Sequence, residues 1–292
     1  MKFWQNISWS ETEQMLDVAR FAEECGFEGV MNGDHGIHPH KMKTPYYGTE
    51  DGVAPMQPGW EYPDCWVAGT AIALATKKLK FCSCIYVMPI RNVFDVARAT
   101  GTGAILTGNR IVVGVGAGWM KDEFDAFGVD FATRGKRLDE MIEVLRKIWQ
   151  AGGGAVEHHG KFFDFEPLHI SPGPGYSLPV WNGGASKAAQ RRAAVLCDGY
   201  IGDGHTPDQA VELVKTMKAM RREAGREKDP FEIVVPLTVP PDLDTLKRLE
   251  DAGVTGTVAY PFLFTVGKLK TTLDEKKRVM EQYAEAFIRK LA

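Results

Sequence analysis

The chain lacks most of the features that would assign it quickly. Its five cysteines (25, 65, 82, 84 and 197) form no CxxC pair and are odd in number, so neither a zinc ribbon nor a disulfide scaffold is indicated. Cys82 and Cys84 alternate along one predicted strand and read as small core residues. There is no basic excess: the net charge of -3 over 292 residues speaks against a nucleic-acid binder. No apolar run approaches the roughly 18 residues of a membrane helix. Met1 to Asn6 has no apolar stretch of the signal-peptide kind, so a reducing, cytoplasmic setting is expected. A dinucleotide fingerprint is also missing. Ile111 to Val115 is a short apolar run followed by Gly116, Ala117, Gly118 and Trp119, where G-x-G-x-x-G would require glycine at Trp119.

What is present is a regular alternation. Apolar residues make up 44% and charged residues 25%, as in ordinary soluble domains. Strands are predicted over 2–5, 27–31, 79–88, 111–115, 179–182, 198–202, 231–237 and 254–260. Helices are predicted over about 13–25, 64–76, 93–106, 134–150, 187–196, from Pro207 onwards, 243–252 and 271–291. Ser10 to Glu13 has the pattern of a capping box opening the first helix. Gly101 and Gly103 imply close packing or a break in the third helix. Residues 155–166 form a predicted hairpin after the fourth helix. Gly26-Phe27-Glu28-Gly29 is echoed by Gly253-Val254-Thr255-Gly256, and more distantly by Asp198-Gly199. Eight strand–helix alternations favour a single α/β domain over 1–292, a closed (β/α)8 TIM barrel.

In such a barrel the chemistry lies at the C-terminal strand ends. Asp34 and His35 follow the second strand: a carboxylate and an imidazole suited to proton transfer, or a turn-capping Asp beside a hydrated His. Gly183-Gly184-Ala185-Ser186 stands between a strand and a helix start. It can bind an anion on free N–H groups with Ser186 and Lys187 assisting, or it is a glycine turn with Ser186 as N-cap. His38-Pro39-His40 has a metal-like spacing but lies several residues beyond its strand, which leaves a solvated loop as the simpler account. Trp119 either walls a flat ring or covers the barrel mouth. Asp122 and Glu123 favour the N-terminus of a short helix. The irregular stretch 36–62, with Tyr46, Tyr47, Trp60 and Tyr62, is long enough to be functional.

Several of these segments match one family pattern, in order, over about residues 1–260. They are Gly33-Asp34-His35; Val87-Met88-Pro89-Ile90-Arg91-Asn92; Gly108-Asn109-Arg110 leading to Gly114-Val115-Gly116-Ala117-Gly118-Trp119 with Glu123-Phe124; and Trp181-Asn182-Gly183-Gly184-Ala185-Ser186 leading to Asp198-Gly199. The chain resembles the luciferase-like monooxygenase superfamily, the flavin- or deazaflavin-dependent oxidoreductases of bacterial-luciferase-like barrel fold. The hairpin resembles that family's insertion after the fourth helix.

The resemblance implies hydride transfer between a ring cofactor, F-420 or FMN, and a small organic substrate. F-420 is slightly favoured by the chain's length and by the Gly-Ala-Gly-Trp form. It implies a non-prolyl cis peptide at Cys84-Ile85 behind the ring, with Ser83, Gly116, Ala117, Gly118, Trp119 and Glu123 around ring and tail. Gly183, Gly184, Ala185 and Ser186 would hold the tail phosphate. His35 and Asp34 would lie by ring and substrate, no metal is implied, and a homodimer is expected. Trp119 stands where the family's sugar-phosphate dehydrogenases have an acid, which speaks against glucose-6-phosphate chemistry. The alternatives are an FMN monooxygenase using oxygen, a metal-dependent barrel hydrolase built on Asp34, His35, His38 and His40, and a non-catalytic flavin-binding protein.

Overall fold

A computed structural model describes residues 1–291. The strands in chain order are β1 (Lys2–Asn6), β2 (Gly29–Asn32), β3 (Lys80–Ser83), its short continuation β4 (Tyr86–Val87), β5 (Ile111–Gly116), β6 (Ala155–His159), β7 (Asp164–His169), β8 (Val180–Gly183), β9 (Gly199–Ile201), β10 (Glu232–Val235) and β11 (Gly256–Ala259). β6 and β7 form an antiparallel pair apart from the rest. The others form one parallel sheet in the order β3-β2-β1-β11-β10-β9-β8-β5-β4. Pairing of Phe81 with Ile111 and Cys82 with Val112 closes it into a barrel.

The barrel interior takes one buried side chain from each of its eight strands: Trp4, Met31, Cys82, Val112, Trp181, Ile201, Val234 and Val258. Trp4 and Trp181 meet edge to face at 5.4 Å. Both need an empty position on a neighbouring strand. A Cβ on Gly29 would stand 2.3 Å from the Trp4 ring, and one on Gly199 would stand 2.5 Å from Trp181. The glycines of the sequence echo at 29 and 199 thus make room for tryptophans inside the barrel, rather than only turning the chain. β5 is buried along its whole length, as a parallel strand covered on both faces must be, hence its unbroken apolar run.

The helices surround the barrel: α1 (Met15–Cys25), α2 (Cys65–Leu74), α3 (Val93–Thr107), the short α4 (Lys121–Ala126), α5 (Arg134–Ala151), α6 (Lys187–Leu196), α7 (Pro207–Glu223), α8 (Leu243–Ala252), α9 (Phe262–Val266) and α10 (Leu273–Tyr283). α3 is unbroken, and its Gly103 permits contact with α2, since a Cβ there would lie 2.9 Å from Thr70 Oγ1. α9 was not anticipated, and the last predicted helix changes to a π-turn at Ala284–Ile288. Among the described residues no helix is long and apolar enough to cross a membrane.

The capping box expected at Ser10 does not form. Thr12–Gln14 is a 3-10 turn, and Glu11 is drawn instead to α10. Its carboxylate accepts from the fully buried Lys276 ammonium and, at 2.7 Å, from the Thr271 N–H. Lys276 also reaches Gln14 Oε1 and the Thr271 carbonyl, each at 2.8 Å. The loops that leave the first and last barrel strands are fastened together here. Burial works to raise the Glu11 carboxyl, but the Lys276 and backbone hydrogen bonds prevail and hold it below 4.5.

Glu11→Gln leaves the Lys276 ammonium buried with neutral acceptors only, and the expected loss is about 3 kcal/mol in urea unfolding at pH 7. Because the folded-state value is depressed, Glu11 contributes fully above the unfolded value and loses that contribution as pH falls through the folded one. The variant and the wild type should therefore converge in stability on acidification below about pH 4.

Candidate active site

The third barrel strand is interrupted where the site begins. β3 ends at Ser83, the Cys84–Ile85 peptide is cis, and the strand resumes as β4. The Cys84 N–H donates to the Asn32 carbonyl at 2.6 Å. Ser83 is fully buried, and its hydroxyl donates to the Gly114 carbonyl (2.8 Å) while accepting from the Gly114 N–H (3.0 Å). The Ile85 side chain fills space that two glycines leave open. A Cβ on Gly183 would stand 1.7 Å from Ile85 Cδ1, and one on Gly116 would stand 3.3 Å from Cγ2. Gly118, at φ +82°, lies against Phe124 and Val87. These glycines were expected to give a ligand room; they first of all admit protein atoms around the strand break.

The turn after β2 carries the predicted proton-transfer pair, and the structure separates its members. Asp34 is buried against Arg91, whose guanidinium donates to both carboxylate oxygens at 2.9 and 3.0 Å; the Val87 N–H donates at 3.1 Å. Burial pushes the Asp34 carboxyl above its ordinary range, against the pull of Arg91. Asp34 lines the cavity, yet its oxygens are occupied in holding Arg91 and β4. His35 lies at the rim with its Nδ1 3.2 Å from Glu123 Oε2. Glu123 is fully buried, and its other oxygen accepts from the Gly36 N–H. Asp122 does more than favour a helix terminus: it accepts from the Thr44 N–H (2.8 Å), the Thr44 hydroxyl and the Lys43 N–H (3.1 Å), anchoring the loop 36–62.

A cavity of about 1090 Å³ opens at the C-terminal ends of the barrel strands. His35, Cys84, Ile85, Gly116, Ala117, Gly118 and Trp119 line it, as do Gly183 to Ser186. Ser83 and Glu123 do not: both lie behind the lining. One end is cationic and rich in N–H groups. Ser186 caps α6, accepting from the Ala189 N–H at 3.2 Å. Arg134, Gly135 and Lys136 of the first turn of α5 face the same space. Arg134 lies over the Phe131 ring at 3.8 Å and donates to the Gly118 carbonyl at 3.2 Å. Lys187, the charge expected beside Ser186, is exposed and outside the lining.

The other end is aromatic. Tyr46 meets Trp119 at 4.9 Å, and His35 presents its ring edge-on to Tyr62 (5.3 Å) and Trp119 (6.1 Å). Trp9, held at φ 62°, donates its indole N–H to the Tyr62 hydroxyl at 2.6 Å. Burial pushes the Tyr62 phenol and the Cys84 thiol each up to about 12, so both stay neutral near pH 7. His38 Nδ1 lies 2.9 Å from the Pro39 carbonyl. Among the described residues no three His, Cys, Asp or Glu side chains gather as metal ligands would.

Trp9, Arg134 and Lys136 line the cavity and were not singled out in the sequence; Asp203, which also lines it, stands where the sequence ends the sixth strand. For Arg134 and Lys136 a signal existed. The first turn of α5 has no acidic residue and carries cations where the helix dipole disfavours them. Trp9 has no comparable local signature.

An uncharacterized protein of Mycobacterium tuberculosis is 35% identical over 292 residues, all of both chains. The FMNH2-dependent dimethylsulfone monooxygenase of Pseudomonas putida is 27% identical over 77% of this chain and 57% of that one. Among solved structures, the monooxygenase RslO1 of Streptomyces bottropensis aligns with a TM-score of 0.76 at 17% identity over 100% of both chains. The coenzyme F420-dependent tetrahydromethanopterin reductase of Methanopyrus kandleri aligns at 0.75 and 16% identity, over 100% of this chain and 99% of that one. An F420-dependent secondary alcohol dehydrogenase aligns at 0.74 and 17% identity over 98% of both. The family model for luciferase-like monooxygenases matches residues 4–278, and the chain belongs to that family.

Proposed function

We propose that the protein is an oxidoreductase that moves a hydride between a flavin-type ring, F-420 in preference to FMN, and a small organic substrate. The observation that carries this is the division of one cavity into a cationic end and an aromatic end with His35 at its rim. The residues fit such a cofactor. The N-termini of α5 and α6, with Lys136, Arg134 and Gly183 to Ser186, would hold its phosphate. The strand break at Cys84–Ile85 and the wall from Gly116 to Trp119 would flank its ring. The ring supplies hydride acceptance and donation when bound; the chain binds it, excludes water and handles the proton.

The Gly-Ala-Gly-Trp form and the full-length agreement with the two F420-dependent structures support F-420. An FMN monooxygenase using oxygen is the second reading, favoured by the Pseudomonas putida relative and by RslO1. The substrate meets Trp9, Tyr46, Tyr62 and Trp119, a lining suited to compounds with apolar or flat faces.

The protein is further proposed to be a homodimer. α2 is apolar on all sides, and Val67 and Leu74 on it, with Ile105 and Leu106 on α3, are exposed beside an outer groove of about 1000 Å³. The candidate face is this flank of the barrel rather than one of its ends. Val67→Glu with Leu106→Glu should turn a dimer into a monomer in sedimentation velocity; a wild-type monomer at micromolar concentration rejects the proposal.

Fluorescence titration with F-420 and with FMN tests the cofactor. Tight binding of F-420 without oxygen consumption supports the first reading, and FMN binding with oxygen-dependent turnover supports the second. Stoichiometric zinc with affinity for neither rejects both. Gly184→Asp sets a carboxylate against the phosphate position and should weaken binding at least about 100-fold.

His35→Ala should leave cofactor affinity within about twofold but slow F-420 reduction by a panel of short alcohols by about 100-fold or more. Asp34→Ala instead strands the Arg91 guanidinium, and a loss of about 3 kcal/mol in urea unfolding is expected.

A further inference from the structure

Building on the proton role of His35 in the proposed function, we infer that Glu123 is a positioning residue. It fixes the proton of the neutral His35 ring on Nδ1 and leaves Nε2 as an acceptor facing the cavity.

The resemblance placed Glu123 among cofactor ligands, but its carboxylate is fully buried behind the cavity wall. Both its oxygens are committed. Oε1 accepts from the Gly36 N–H, and Oε2 lies 3.2 Å from His35 Nδ1. An ionised carboxylate offers only lone pairs, so a neutral imidazole bonded to it must carry its hydrogen on the facing nitrogen. The two partners are consecutive in the chain, so one carboxylate holds both the ring and the backbone beside it.

The approach requires glycine at 36. A Cβ there would stand 2.7 Å from the Phe127 ring and 3.3 Å from Glu123 Oε1. Tyr62 and Trp119 flank the ring edge-on, and among the described residues the ring makes no other hydrogen bond. The neighbouring acid, Asp34, is engaged with Arg91, and the Tyr62 hydroxyl is engaged with Trp9. Nε2 is therefore the polar atom the ring has left to offer a ligand.

An acceptor in that place suits a substrate with a hydroxyl group. The substrate O–H bond breaks, the Nε2–H bond forms, and the electron pair stays on oxygen. The imidazolium that results keeps the Glu123 carboxylate beside its Nδ1–H. This is the proton half of an alcohol-to-carbonyl oxidation; the hydride half goes to the flavin-type oxidant of the proposed reaction.

The test reads the tautomer directly. Cofactor-free protein labelled with 15N-histidine is recorded by multiple-bond 1H–15N correlation at pH 9, and the His35 signals are assigned by their loss in His35→Ala. The expected wild-type pattern is Nδ1–H with Nε2 unprotonated. Glu123→Gln keeps an oxygen for the Gly36 N–H and turns an NH2 donor toward Nδ1, so the ring proton should move to Nε2. A wild-type Nε2–H pattern, or a tautomer unaltered in Glu123→Gln, overturns the inference. So does a loss of F-420 and FMN affinity in Glu123→Gln of about tenfold or more, which would return Glu123 to cofactor binding. If Glu123→Gln does not fold, the wild-type spectrum decides alone. If neither cofactor binds the wild type, the proposed function fails while the tautomer still answers for Glu123.

Discussion

No side chain can exist at position 114, because the Ser83 carbonyl oxygen lies 1.8 Å from where a Cβ would stand. The site depends on that approach. β3 and β5 are the pair that closes the barrel, and they meet where β3 breaks off. Ser83 bridges the break through both polar groups of Gly114, and Ile85 then fills the spaces left by Gly116 and Gly183. Three glycines on two strands thus serve one interruption in a third. A methyl group at 114 would meet backbone, which cannot turn aside as a side-chain end can. The cavity floor is consequently set by backbone contacts, and rigid elements position a site better than loops do.

The acids around the cavity follow a second rule: a buried carboxylate must be satisfied. Asp34 takes Arg91 and a backbone N–H, and Glu123 takes His35 and Gly36. Asp122 takes the backbone at 43 and 44 and so ties the aromatic loop down beside Trp119. Asp34 fixes Val87, Glu123 fixes His35, and Asp122 fixes the chain leading into Tyr46, three residues that line the cavity. Asp34, the sequence neighbour of His35, is structural in its contacts.

This explains which parts of the molecule were legible in the sequence. The barrel was, because alternation of buried strands with amphipathic helices is a local pattern. α6 and α8 were predicted at their observed bounds, since a capping residue or a terminal glycine marks their ends. Asp34-His35, Gly183 to Ser186 and Trp119 came from their places at strand ends, and the cis peptide came through the family resemblance. What failed were statements about partners. A capping box was read from Ser10 to Glu13 and does not form, while Glu11 between them finds its cation 265 positions away. Asp34 and His35 were treated as one unit, and only folding shows that their partners are Arg91 and Glu123. Nor does any local pattern reveal that Ile85 arrives from another strand beside Gly116 and Gly183.

The cations of α5 went unread although a signal stood in the sequence, and their meaning lies in electrostatics rather than in packing. Arg134 and Lys136 stand in the first turn of an 18-residue helix with no acid beside them. Each such cation opposes the dipole by about 0.3–1 kcal/mol. Arg134 offsets part of this through the Phe131 face and the Gly118 carbonyl. The N-terminus of α6 adds more positive potential to the same space, whereas Arg192, which also lines it, is already paired with the Asp139 carboxylate and held to the Gly135 carbonyl at 3.0 Å. Positive groups converging on a concave surface raise the energy of the empty protein and lower that of a complex with an anion. Binding there is linked to stability: an anion that binds only the folded chain removes a repulsion the fold otherwise retains. The arrangement is thus unfavourable as structure and favourable toward an anion, which separates this end of the cavity from the aromatic end with His35 at its rim.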